Sequence, residues 1–251
     1  MFEIMTSIRV GRLLPGFNDV GFGSRSPVRG TSQFSTGEQT VIAKRIPTRE
    51  IAVELICSCI GREIGLPIPE PVLLADEDKN WYFGSVDVGH PNLMQVATAS
   101  DTAIMSKLEQ WPQLLQAACF DEWIANSDRG NENLLFDGSG FLLIDHGLAV
   151  PSGMSSNDWS DDYYNNQLLD VVMSSCERTE EKRTAIACSA RDWSNNISDF
   201  DTAYDENAFP NIISAHHKSQ VSVFLKDRIS RLGDELYKKL NPLQGVLTLN
   251  D

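Results

Sequence analysis

The sequence predicts an α+β fold in two lobes, strand-rich over residues 1–88 and mainly helical over residues 89–251. Three observations carry this expectation. Up to Gly89–Pro91 the apolar residues sit in short runs separated by Gly, Ser, Pro and Thr, which is the pattern of strands and turns. Beyond that point apolar residues recur at helical spacing. A length of 251 residues suits one large domain or two small lobes sharing a cleft.

Taken in order, "RLLPGFNDVGFGSRSPVRGTSQFSTGEQTVIAK" narrows from a Gly- and Ser-rich tract to Val41-Ile42-Ala43-Lys44, a short strand leaving a hairpin near Gly37. Thr48 is the expected N-cap of a helix to about Ile64, with a stripe at Ala52, Leu55, Ile56, Cys59 and Ile60, stopped by Gly65. The prolines of "LPIPEP" keep the next segment extended. "PVLLAD" and "WYFGSVDV" read as two strands joined by the turn Asp76–Asn80. In the helical lobe, Pro112 fits a first helical turn, and Leu114, Ala117, Phe120 and Ile124 share a face. Two apolar runs joined by Gly138-Ser139-Gly140 form a hairpin. Helices then follow around 166–175, 180–191 and 212–240, the last with Val221, Phe224, Leu225, Ile229, Leu232 and Leu236 at helical spacing.

Composition narrows the function. A net charge of −14 argues against a broad nucleic-acid face, which needs clustered Lys and Arg, and leaves room for a local anion pocket. Cys57, Cys59, Cys119, Cys176 and Cys188 show no zinc spacing and read as buried reduced thiols, as expected of a cytoplasmic chain. No signal peptide and no run of about 18 apolar residues is visible, so neither export nor a membrane span is expected.

"FDEWIANSDRGNENLLFDGSGFLLIDHGLAV" holds more polar chemistry than a hairpin requires. Phosphoryl transfer from a nucleotide needs a cation on the phosphates, oxygen ligands for magnesium and a carboxylate beside the acceptor hydroxyl. The kinase-type order is a strand lysine, a helix glutamate, Asp-x₄-Asn, then Asp-x-Gly after a hairpin. Here Lys44 ends a strand and Glu50 or Glu54 lies on the following helix. Asp128 and Asn133 bracket "DRGNEN", and Asp145 opens "DHG". Asp128 is then aimed at an acceptor hydroxyl, with Asn133 and Asp145 on the metal and Gly147 letting the backbone turn away. Singly, each has a plainer reading: Lys44 as a solvated strand end, Asp128 as a turn residue, Asn133 and Asp145 as hairpin flanks. Together they do not, because a turn needs no acid inside the apolar "LLIDHG".

"NSDRGNENLLFDGSGFLLIDHG" and "EIAVELICSCIGREIGLPIPEPVLL" resemble the HipA-like kinases and, more distantly, the phosphatidylinositol kinases; the likeness covers about residues 41–150. The resemblance implies a two-lobed protein-kinase-like fold, with ATP and Mg²⁺ as cofactors and protein serine or threonine as acceptor. By the same match Glu54, rather than Glu50, partners Lys44. It also implies that "GSRSP" covers the nucleotide phosphates through backbone N–H groups and Arg25. Ser24 or Ser26 would then be an autoregulatory phosphorylation site. The adenine is expected near Ser85, Val86, Asp87 and Val88. A toxin role restrained by a separate antitoxin or regulatory protein is a further implication, with no direct nucleic-acid contact.

There are departures: no Gly-x-Gly-x-x-Gly loop is present, Ser127 precedes Asp128 and His146 follows Asp145. These argue against an ordinary eukaryotic-type kinase. His146 reads as a packed or hydrogen-bonded histidine rather than a metal ligand. Two alternatives stay open: a kinase-fold transferase acting on a lipid, sugar or other small molecule, and a non-catalytic binding module.

Overall fold

In the computed structural model residues 8–21, 25–96, 102–160, 163–175, 179–199 and 212–241 are described. The strand-rich part comprises β1 (Arg9–Leu13), β2 (Asn18–Asp19), β3 (Val28–Phe34), β4 (Gly37–Lys44), β5 (Pro71–Ala75) and β6 (Trp81–Val86). They form one sheet in the order β1-β5-β6-β4-β3-β2. β1 also pairs with β3, Arg12 opposite Gln33 and Leu13 opposite Ser32, so five strands close into a small barrel. Alternate side chains point inward. Leu13, Phe34, Val41, Ala43, Val72, Leu74 and Tyr82 fill the interior. Gly84 is small for a reason: a Cβ there would meet Leu74 Cδ1 at 2.6 Å.

β4 begins at Gly37 and runs to Lys44, longer than the four-residue run that its sequence advertises. β1 and β3, which apolar pattern does not reveal, are built on ladder pairing: β1 runs parallel to β5, with Arg9 opposite Val72 and Arg12 opposite Ala75.

Helix α1 (Thr48–Glu63) crosses from the barrel to the helical part. Its N-cap is Pro47, not Thr48 as expected, because Pro47 takes the extended φ/ψ of −55/147 and Thr48 is already helical. Ile51 N–H bonds Pro47 O at 2.9 Å. Gly65, at φ 87, ends the helix, with Leu66 N–H returning to Gly61 O at 2.8 Å. Burial of α1 is wider than the single stripe expected: Ile51 to Ser58 are all buried, because the helix is sandwiched between the sheet and the helices that follow.

The helical part holds α2 (Leu93–Val96), α3 (Thr102–Glu109), α4 (Leu114–Trp123), the hairpin β7 (Leu134–Phe136) and β8 (Phe141–Leu143), α5 (Gln167–Ser175), α6 (Glu180–Asn196) and α7 (Ala215–Leu240). Pro112 lies in the turn before α4 rather than in its first helical turn; Gln113 is the N-cap. Val221, Phe224, Leu225, Ile229, Leu232 and Leu236 are all buried, as their spacing predicts. One apolar cluster runs from α1 through α4 to α7, joining strand-rich and helical parts. Cys57 and Cys119 are buried, but Cys188 is exposed on α6, correcting the expectation of a buried thiol; Cys176 lies outside the described residues. Among the described residues, no helix is long and apolar enough to cross a membrane.

Candidate active site

Strand alternation buries Val41 and Ala43 in the barrel and turns Lys44, the last residue of β4, outward. Lys44 Nζ lies 2.6 Å from Asp145 Oδ2 and 3.8 Å from Glu54 Oε1. Glu54 is fully buried on α1. Its Oε2 accepts the backbone N–H of His146 at 2.8 Å. A strand, a helix and the segment after β8 therefore meet on three neighbouring charges. Asp145 has φ 62, a left-handed conformation uncommon outside glycine and concentrated at functional sites. A Cβ at Gly147 would come within 3.2 Å of Glu54 Cγ, so the backbone passes the glutamate closely.

Asp128 faces the same cleft from the loop after α4. A single 3₁₀ turn, Asn131–Asn133, leads from that loop into β7. Asn133 Nδ2 donates to Asp128 O at 2.5 Å and stands 3.3 Å from Asp128 Oδ2. Lys44, Glu54, Asp128 and Asp145 line one cleft, with Arg25, Glu50 and Leu148 at its rim; Asn133 stands behind Asp128.

This cleft is short of positive charge. Burial, then the neighbouring Asp145 and Glu132, raise the Asp128 pKa. Burial and Glu54 raise that of Asp145, and Lys44 offsets this only in part. Glu54 Oε1 has no hydrogen-bond donor among the described residues, Lys44 being 3.8 Å away. Such a set fits a cation brought by a ligand. No group of three or more His, Cys, Asp or Glu among the described residues could hold a metal alone. Magnesium is held by one or two carboxylates plus substrate phosphates rather than by an all-protein cage, and Asp145, beside the unanswered Glu54 oxygen, would be such a carboxylate. His146 is fully buried, which drives its pKa down to about 3, and its neutral ring packs edge-on against Phe120 with Nδ1 3.3 Å from Ser58 Oγ.

The other expected contacts divide. Ser24 lies outside the described residues. Arg25 reaches the cleft, paired with Glu50 at 2.8 Å. Ser26 is exposed at φ 44 and does not line it. Nor do Ser85, Val86, Asp87 and Val88. Val86 packs on the barrel cluster and its N–H is taken by Glu70 O at 2.9 Å. Asp87 gives its N–H to Thr40 O and its carboxylate to Arg29. Ser85 remains in the ladder opposite Ile42. Motif reading missed Asp121, Asn126 and Arg129, all buried beneath the loop; the signal was a pair of acids, Asp121-Glu122, inside the otherwise apolar helix "LLQAACFDEW".

A strand-rich barrel, a bridging helix that carries a buried glutamate, and an Asp-bearing loop with hairpin define a protein-kinase-like fold, and the chain is a kinase-like phosphotransferase. The sequence model of HipA-like kinases matches residues 36–207, and the chain belongs to that family. Among solved structures, the Helicobacter pylori proinflammatory kinase CtkA is similar with a TM-score of 0.54 and 13% identity, covering 93% of this chain and 97% of that one. The Rio2 kinase of Chaetomium thermophilum, solved as an ADP/Mg²⁺-phosphoaspartate complex, has a TM-score of 0.38 and 13% identity, covering 92% and 69%. No curated protein matches the sequence.

Proposed function

We propose that the protein is an ATP- and Mg²⁺-dependent kinase that phosphorylates serine or threonine of a protein acceptor. The observation that carries this reading is Lys44 meeting Asp145 across the cleft with Glu54 behind it. In this reading Lys44 exchanges Asp145 for the nucleotide phosphates, while Glu54, fixed by the His146 N–H, keeps the ammonium in the cleft. Asn133 and Asp145 would hold magnesium, which supplies charge neutralisation on the phosphates when bound. Asp128 orients the acceptor hydroxyl and takes its proton late; its raised pKa makes it a better proton acceptor than an ordinary aspartate. Arg25 stands where a phosphate could draw it from Glu50. The acidic total suits a basic protein partner, and any antitoxin or regulator would be a separate chain.

The test is incubation of purified protein with labelled ATP and Mg²⁺, with protein and small-molecule products separated. Asp128→Asn is expected to lower turnover by about 10²–10⁴-fold, and Asp145→Asn to abolish it and weaken Mg²⁺-dependent nucleotide binding. Wild-type-like labelling by either variant defeats the assignment. Label on a lipid or sugar instead of protein would replace the acceptor, and a thermal shift with Mg·ATP but no turnover would make the chain a binding module.

A further inference from the structure

Asp121, in α4, is fully buried, as are Asn126 and, at 1% exposure, Arg129. A buried carboxylate must be answered by donors. Arg129 Nε and Nη2 meet Asp121 Oδ2 and Oδ1 at 2.9 and 3.0 Å, and Asn126 Nδ2 meets Oδ1 at 3.1 Å. The two-pronged contact fixes the plane of the guanidinium. Its remaining corner, Nη1, donates to the backbone carbonyls of Asn133, at 2.9 Å, and Ile144, at 2.5 Å. Ile144 N–H closes the triangle on Asn133 O at 3.1 Å. Asn126 Oδ1 accepts the N–H of Asp128 at 3.1 Å.

The backbone groups held in this way are not arbitrary ones. They belong to Asp128, to Asn133, and to the residue whose carbonyl forms the peptide plane ahead of Asp145. Asp145 sits at φ 62 in the sparsely populated left-handed region, so the orientation of that peptide plane bears directly on where its carboxylate lies. Arg228, another buried arginine, differs in where its bonds end: on the Trp123, Glu122 and Asp158 carbonyls and on Tyr164, whereas those of Arg129 end on Asn133, which contacts Asp128, and on Ile144, which precedes Asp145.

We propose that Arg129, held by Asp121, is a positioning residue that sets the geometry of the metal ligands Asn133 and Asp145, while Asn126, on the same carboxylate, independently sets Asp128. The inference rests on the phosphotransfer reading above. The two residues therefore have different signatures: Arg129 governs the metal requirement, Asn126 the chemical step.

The test begins with wild-type protein, in which Mg²⁺-dependent ATP binding and turnover are both measured; absence of both overturns the reading and this inference with it. Arg129→Lys keeps a cation for Asp121 but lacks the planar fork that holds both carboxylate oxygens while a further nitrogen reaches the two carbonyls. It is expected to melt cooperatively, keep its KM for ATP at saturating Mg²⁺, lower kcat, and raise the Mg²⁺ half-saturation about tenfold or more. Asn126→Ala leaves the ion pair whole and is expected to lower kcat about tenfold with the Mg²⁺ half-saturation unchanged. A folded Arg129→Lys protein with wild-type kcat and Mg²⁺ requirement would sink the proposal, and phosphotransfer would stand without it. Should Arg129→Lys fail to fold, Asp121→Asn decides for Arg129, since it removes the charge that orients the guanidinium and keeps the side chain's shape: a raised Mg²⁺ half-saturation upholds the proposal and a wild-type Mg²⁺ requirement overturns it, while wild-type kcat in Asn126→Ala overturns the role of Asn126.

Discussion

Glu122 and Asp145 are both carboxylates withdrawn from water, yet their surroundings push them in opposite directions. For Glu122 burial alone would raise the pKa, but Lys239, Asn166, Ser160 and Arg228 outweigh it and the pKa is lowered. Its oxygens accept from Ser160 Oγ at 2.7 and 2.9 Å, Asn166 Nδ2 at 3.0 Å and Tyr164 OH at 3.1 Å, with Lys239 Nζ 3.3 Å away. Arg228, from α7, stacks 3.9 Å over Trp159 and donates to the Glu122 and Trp123 carbonyls, pinning α7 to α4. Asp145 has one cation, Lys44, set against burial and Glu54, and its pKa is raised. The first knot brings its own donors and is structure. The second is left open, and an under-satisfied charge cluster in a cleft is where a ligand completes the set.

The sharpest way to break this contrast is Arg228→Met. Removing one partner of a buried charged network should cost about 3–5 kcal/mol, read from the urea midpoint; a wild-type midpoint would mean the knot holds nothing. Next comes Glu122→Gln, which gives up the charge but keeps the shape. The folded pKa of Glu122 is lowered, so its stabilisation is present above the ordinary carboxylate pKa and is lost as pH falls through the folded value. The variant should therefore melt below wild type at neutral pH, with the gap narrowing in acid. Asp145→Asn should give the smallest shift and the opposite sign. The folded protein binds a proton at Asp145 more readily than the unfolded chain does, so stability falls as pH rises from the ordinary carboxylate pKa to the raised one. At neutral pH the inactive variant should melt above wild type, with the gap closing as pH drops through that window. If both variants shift the same way at neutral pH, the comparison fails.

Much of the fold is legible where periodicity is local. The apolar spacing of α7 and the Gly65 stop of α1 can be read directly, because a helix pairs with itself. β1 cannot: "RVGRL" becomes a strand through parallel pairing with Pro71–Ala75, a partner far along the chain. The N-cap at Pro47 is invisible to a search for capping side chains, because Pro47 supplies the extended conformation without a side-chain oxygen. Lys44, Glu54, Asp128 and Asp145 in the cleft, and Asn133 behind Asp128, stand out in the sequence by residue type and order. Ser85 and Val86 stay in the β4–β6 ladder, opposite Ile42 and Val41, and Asp87 gives its N–H to Thr40 O, so these residues stand apart from the Lys44–Asp145 cleft. Arg129 lies inside the motif, but a sequence shows only that a charge lies in an apolar setting, not which carboxylate answers it.

Composition and spacing alone determined the kinds of element and the chemical kit: one strand lysine, one helix glutamate, and an Asp–Asn–Asp series around a hairpin. Tertiary structure alone decided which charges were closed and which were left open. Asp121 and Glu122 are neighbours in one helix, yet one anchors the loop after α4 through Arg129 and the other anchors α7 through Arg228 and Lys239. The reason is physical: what a buried charge does depends on its partners and on its exclusion from water, and both are set by residues distant in the chain.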